Sequence, residues 1–416
     1  MRSVALCAVA FLVPSACTAP STDTGAATPS APPQPLVRAE YQGVVELEAH
    51  LANPGDTVPV PLRWAQTCDG DGVCLSEETM GEGGEAQRIW STPEATWVEG
   101  SETRLSVEAA THHRRLLTLF EGRGGEPEVA VRFTHPRLGA TTDRAVHDDA
   151  AVAIEFHDGS VAWSGSLALQ STQTVAAWAV PEAPPVAPTP EASLTVVQPG
   201  IWDVRLPLLD ARSFVVEFET FVVTLEAPWS SAAGEQVVDL IAAQFPDKPI
   251  RYALYSHHHP HASGGLRAFI AAGATVVAPR AHTQYLREVI DRDFSLQPDR
   301  LHGVSESPSS ILFEESFTIA EAGKSLQVID IGEQSRHTTH YMMVWLPDAR
   351  VLVQGDLGWF TAEDGEVRVG QRSAGLLEAI DARNLEVETL LQGWPVNSQA
   401  PSLPMSTFRD ALSRGE

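Results

Sequence analysis

The sequence predicts an α/β protein preceded by a small β-rich domain. Three observations lead there. From residue 194 onward, short apolar runs alternate with stretches whose apolar residues recur at helical spacing, as at Val237, Val238, Leu240 and Ile241. One buried-type run, 250–255, leads straight into His257-His258-His259-Pro260-His261-Ala262-Ser263-Gly264-Gly265, and sites in α/β sheets lie beyond strand ends. Between 37 and 180 the pattern differs: apolar and polar residues alternate under Gly, Pro and Asp punctuation, as in half-buried strands.

A chain of 416 residues exceeds one compact core, so two domains are expected. Residues 1–17 read as a lipoprotein-type signal peptide: a basic start, an apolar run and small residues before Cys17, the lipidation candidate. Residues 18–36 are rich in Ser, Thr, Ala and Pro and form a flexible tether. The β-rich domain spans 37–180, a proline-rich linker 181–193, and the α/β domain 194–416. A net charge of -26 excludes nucleic acid and anionic membrane surfaces as partners, leaving a small-molecule substrate or ligand. Membrane contact is expected only through a lipid anchor at Cys17. The expected location is the cell envelope, periplasmic or at the outer-membrane face, and otherwise periplasmic or secreted. Cys68 and Cys74 flank an Asp/Gly turn and fit a small disulfide loop of an exported protein. That turn is not a calcium loop, because Val73 and Met80 stand where ligands are needed.

Within the β-rich domain, 43–48, 104–108 and 151–156 read as strands. His112-His113-Arg114-Arg115, its densest basic cluster, reads as a solvated face. The α/β domain opens with strands at 200–206, 213–218 and 221–226. A helix at 233–245 is stopped by Pro246-Asp247-Lys248-Pro249. The strand 250–255 precedes a helix at 264–272, a strand at 274–278 and a helix at 282–292. Strands follow at 311–313, 326–330, 341–347 and 351–356. The chain closes with a helix at 374–382, a strand at 387–391 and a helix at 406–412.

Four histidines fall within the five residues 257–261, and imidazole is the commonest protein metal ligand. His257 and His259 lie two apart at a strand end, so both rings can face one ion. His258 points the other way and is structural. A second histidine region is Arg336-His337-Thr338-Thr339-His340, and Asp356 ends the run 351–356. His340 and His282 read as surface residues.

Over about 195–395 these motifs resemble the metallo-β-lactamase fold superfamily, most of all its exported glyoxalase II-like and quinoprotein-relay hydrolases. The stretches that carry the likeness are the histidine cluster with Gly264-Gly265-Leu266, Gly273-Ala274-Thr275-Val276-Val277, Trp345-Leu346-Pro347 and Gln354-Gly355-Asp356. The resemblance implies an αββα sandwich. It implies metal ligands at His257, His259 and His337, and at Asp356 the carboxylate that bridges two metals. The chain also departs from the pattern. The usual Asp is His261, the usual next histidine is Ala262, and no histidine follows His340, so 392–395 offers none. The second metal site is therefore degenerate, and the expected cofactor is one zinc ion, or none. His261 remains able to ligate.

Three functions follow. The first is a metal-dependent hydrolase, with water attacking an ester, thioester or lactam carbonyl and Asp356 or His261 orienting that water and taking its proton. The second is a catalytically inactive relative serving as a cell-envelope binding lipoprotein. The third is a carrier of copper or nickel on the histidine loop.

Overall fold

The computed structural model describes residues 36–414 except 49–51, 69–72, 82, 85, 93–95, 102–128, 133–141, 148–150, 159–160, 187–190, 292–298, 305–307, 361–365 and 397–399. The signal segment, the tether, the 104–108 run and the His112–Arg115 cluster lie outside the described residues.

The amino-terminal region is one antiparallel sheet. Its strands are β1 (Leu36–Glu48), β2 (Val58–Cys68), β3 (Cys74–Met80), β4 (Gln87–Ser91), β5 (Thr96–Val98), β6 (Val129–Arg132), β7 (Thr142–His147), β8 (Ala151–Asp158) and β9 (Val161–Val175), in the order β5-β4-β3-β2-β1-β9-β8-β7-β6. The β2–β3 register pairs Cys68 with Cys74 across the two strands. Leu62 and Trp64 of β2 pack into the main core of the carboxy-terminal region. Beyond β1, Ala52 accepts the backbone N–H of Thr339 at 3.1 Å, and the Thr339 hydroxyl donates to Asn53 Oδ1 at 2.7 Å.

The carboxy-terminal region holds two sheets face to face. The first contains β10 (Ser193–Gln198), β11 (Ile201–Leu206), β12 (Ala211–Glu217), β13 (Val222–Leu225), β14 (Ile250–Leu254), β15 (Thr275–Pro279) and β16 (Ser310–Phe313) in chain order. The pairings from β13 to β16 are parallel. Helices α1 (Ser231–Gln244), α2 (Pro260–Ser263), α3 (Leu266–Ala271) and α4 (Thr283–Asp291) make its crossovers. The second sheet runs β17 (Ser316–Glu321), β18 (Lys324–Asp330), β19 (Met342–Leu346), β20 (Val351–Gln354), then two strands from further along. A small ribbon of β21 (Trp359–Phe360) and β22 (Val367–Arg368) precedes α5 (Gln371–Ala382); β23 (Thr389–Gln392) and β24 (Ser402–Pro404) complete the sheet, and α6 (Met405–Arg414) follows.

Strand periodicity explains the layers. Every residue of β19 is buried, yet its two faces bury against different partners. Met342, Val344 and Leu346 join the core between the sheets, while Met343 and Trp345 join Leu376, Ile380 and Phe408 of α5 and α6. Helices thus cover both outer faces, as in the expected αββα sandwich. The predicted helix 264–272 is α3, which begins two residues later, after a turn at Gly264-Gly265; the short α2 before that turn was not anticipated. A Cβ on Gly264 would overlap the backbone of Trp229, and the N–H of Gly265 is drawn out of the helix to Ala227 O at 2.8 Å. The strand β17 and the ribbon were not anticipated. Among the described residues no helix is long and apolar enough to cross a membrane.

Candidate metal centre

Strand β14 lies inside its sheet, between β13 and β15. Two backbone contacts fix the chain as it leaves: Ser256 N–H donates to Glu226 Oε2 at 3.0 Å, and Ser256 O accepts Met342 N–H at 2.6 Å. The loop after β13 clamps the histidine segment, with Ala227 N–H donating to Ala262 O and Trp229 N–H to Pro260 O, both at 2.7 Å. This clamp holds Glu226 at φ 74° and Trp229 at φ 55°, left-handed conformations that side chains other than Gly adopt at a cost.

The predicted residues converge. His257 is fully buried, and His259, His261 and Asp356 are nearly so. His337 arrives from the other sheet, on the loop between β18 and β19. The His257 ring lies 4.4 Å from that of His259 and 4.9 Å from those of His261 and His337; His259 and His337 are 4.7 Å apart. Donor atoms form two triads that share His257: one with His259 and His261, the other with His337 and Asp356, each with its atoms within 4.8 Å of one another. His261 therefore stands with the first two histidines. Ser256 Oγ lies 2.9 Å from His257 Nδ1, while the buried His257 Nε2 makes no hydrogen bond. An imidazole fixed through one nitrogen with the other unspent is how a protein presents a metal ligand.

Asp356 is the electrostatic hub. Its Oδ2 lies 3.1 Å from His337 Nε2 and 3.8 Å from His261 Nε2, and its Oδ1 lies 3.9 Å from His257 Nε2. Tyr341 donates its hydroxyl to Oδ1 at 3.0 Å and accepts the Asp356 N–H at 2.8 Å; Arg372 donates to Oδ2 at 3.0 Å. Burial opposes ionisation of this carboxyl, but His257, His337 and His261 outweigh it and hold its pKa well below the usual carboxylate value. Burial drives His257 the other way, far below an ordinary imidazole and against the pull of Asp356. A carboxylate beside a neutral imidazole is the pair of states in which both ligate. Gly355 makes the approach possible, since a Cβ there would overlap Ser256 Oγ and come within 2.5 Å of the Tyr341 hydroxyl.

Residues 225–394 match the family model described as the metallo-beta-lactamase superfamily. The carboxy-terminal region belongs to the metallo-β-lactamase superfamily. Solved structures similar to the chain include a metallo-beta-lactamase from Pontibacter korlensis, at 15% identity and TM-score 0.40, covering 54% of this chain and 98% of that one. The mono-zinc form of the metallo-beta-lactamase FIM-1 from Pseudomonas aeruginosa is similar at 16% identity and TM-score 0.39, with 54% and 96% covered. The sec-alkylsulfatase Pisa1 from Pseudomonas sp. is similar at 19% identity and TM-score 0.38; the match covers 53% of this chain and 40% of that one. No curated protein matches the chain.

In this metallo-β-lactamase domain the surroundings of His261 are hydrophobic. Ala262 is buried, and the Trp394 ring stacks on His261 at 4.6 Å and 26°, with Trp229 edge-on to the same imidazole at 5.8 Å. Tyr341, Arg372, Glu226 and Trp394 were not singled out from the sequence. Tyr341 had one available signal, its place directly after the second histidine region; Arg372 had none. His282 and His340 correct the surface reading. His282 is 1% exposed and lies against Tyr255, and His340 is half-buried and paired with Asp330 at 2.7 Å.

Proposed function

We propose that the metallo-β-lactamase domain is an exported hydrolase with one zinc at this centre, acting on an ester, thioester or lactam carbonyl of a small molecule. The observation that carries the reading is the buried meeting of His257, His259, His261, His337 and Asp356 at the end of β14. The donor set fits the ion: several imidazoles, one of them neutral by burial, and an ionised carboxylate. His257, His259 and His337 would hold the zinc, which when bound supplies Lewis acidity and a water acidic enough to ionise near neutral pH.

The chain's own groups account for the rest. Asp356, steadied by Tyr341 and Arg372, is placed to orient the attacking water and take its proton. His261 lies within 3.8 Å of Asp356 and is the second acceptor for that proton. Trp394 and Trp229 wall off the side of His261. Arg372, with its side chain 41% exposed, brings positive charge to a protein whose net charge is -26, and so favours a substrate with an anionic group. The signal-like 1–17 segment and Cys17 support export and lipid anchoring.

The test is a panel of activated esters, thioesters and lactams given to untagged protein whose zinc content is known. Hydrolysis is expected, with loss of both zinc at the centre and turnover in His257→Ala/His259→Ala. Protein with zinc at the centre and no turnover on any member would sink the reading. A second reading is favoured by one observation, the indole of Trp394 packed on His261 where the resemblance calls for a ligand: a non-catalytic binding protein on the same fold.

A further inference from the structure

Behind the centre lies a second group of imidazoles that shares none of its residues. His282 ends the turn after β15, and His340 closes the loop before β19. Their rings are 5.5 Å apart at 81°, and His258 completes the group 6.3 Å from His282 at 86°. His258 lies between the two groups, its ring 4.8 Å from that of His259 and 6.3 Å from that of His282.

Each of the two leading rings is held through one nitrogen. His340 Nδ1 lies 2.7 Å from Asp330 Oδ2. Asp330 is itself fixed, because its Oδ1 accepts the N–H of Tyr341 at 3.0 Å and of Gly332 at 2.9 Å. A carboxylate can only accept from Nδ1, so in the neutral ring the lone pair of His340 sits on Nε2. His282 Nδ1 lies 2.8 Å from the Tyr255 hydroxyl, and His282 Nε2 is buried without a hydrogen bond. Burial, reinforced by His258 and His340, lowers the His282 pKa to about 3, so the ring is neutral at any physiological pH. Ring packing alone would leave that buried nitrogen unsatisfied, which is unfavourable.

We propose that His282 and His340, backed by His258, form a second metal site that takes a borderline divalent cation, with Asp330 and Tyr255 orienting the ligands. Imidazole donors with a carboxylate behind them suit zinc or copper. The two triads of the first centre hold their donors within 4.8 Å, and this group is more open. An ion would therefore draw His340 inward, the one ring of the group with substantial exposure, at 34% of its side chain. The proposal does not depend on hydrolysis at the first centre.

The experiment titrates Zn²⁺ alone into the full chain by calorimetry, with elemental analysis after gel filtration. The background is His257→Ala/His259→Ala, in which the first centre is emptied. One equivalent should remain. Adding His340→Ala should abolish it, and Asp330→Asn should weaken it by tenfold or more. Circular dichroism reports folding. Should the background variant fail to fold, wild type is compared with His340→Ala alone, and zinc should fall by one equivalent while the first centre keeps its own. No zinc in a folded background variant, or binding indifferent to His340→Ala, overturns the proposal.

Discussion

Arg372 sets Nη1 3.0 Å from Oδ2 of Asp356, giving a buried carboxylate a fixed positive partner beside the histidines. The guanidinium supplies a fixed positive charge to that carboxylate. It also repels a cation held by the histidines.

Arg372→Ala should therefore tighten zinc at the first centre. Its side chain is 41% exposed, so solvent screening limits the effect to about 1 kcal/mol, roughly fivefold in Kd. Competition against a chromophoric chelator measures it. Weaker zinc binding in the variant would mean that Arg372 acts by positioning Asp356 and not by its charge.

Glu226 gives a stability prediction with a defined sign. Burial, opposed by the Ser256 hydrogen bonds and reinforced by Asp356, pushes its pKa from 4.5 up to about 8. Between those values the folded chain holds a proton that the unfolded chain has lost, so stability falls as pH rises through the window. Each unit of displacement corresponds to about 1.4 kcal/mol. Glu226→Gln keeps an acceptor for Ser256 N–H and cannot ionise. It should match the native chain near pH 5 and exceed it by a few kcal/mol near pH 8.5 in urea unfolding. A variant with the same pH slope as the native chain would place the titration elsewhere.

What the sequence made legible follows from range. The run of β19 is buried on both faces and reads as a continuous apolar stretch. His257 and His259 lie two apart on one chain, so their convergence is a local property. His337 and Asp356 were reached only through the resemblance, because strand pairing and sheet packing bring them in. The Arg372–Asp356 contact closes over 16 residues through the start of α5, with no periodic pattern to announce it. His282 was misread because its environment comes from Tyr255 and His340, distant in the chain. The two-residue shift in the start of α3 has the same cause: a tertiary partner, Ala227 O, takes the Gly265 N–H that local propensity assigns to the helix.

Thr339 links the amino-terminal sheet to the loop that carries His337. Its N–H and hydroxyl both reach Ala52 O at 3.1 Å, and the hydroxyl also meets Asn53. Thr339→Val keeps the shape and the N–H but loses both hydroxyl contacts. The pair is exposed, so the stability change should stay at about 1 kcal/mol or less. The loop should nevertheless loosen, and chelator-driven zinc release should quicken severalfold. An unchanged release rate would leave the amino-terminal sheet without influence on the centre.

Trp394 bears on the second half-site that the resemblance implies at His261 and Ala262. Its ring stacks on His261 at 4.6 Å, and Trp229 closes the other approach at 5.8 Å. Returning His261→Asp and Ala262→His supplies two ligands but leaves the indole where the third belongs. That double variant should bind no additional zinc. Adding Trp394→His should admit one more equivalent, at some loss of stability from removing a large, partly buried ring; truncating a fully buried Trp to Ala costs about 3–5 kcal/mol, which bounds the loss. Zinc content and thermal unfolding, measured together, separate the outcomes. Extra zinc in the double variant would show that the indole is no barrier. A folded triple variant with unchanged zinc would show that more than these three side chains was altered. If the triple variant gains zinc and also gains turnover that the wild type lacks, the native chain is the binding protein of the second reading, and Trp394 is the residue that closed the second metal site.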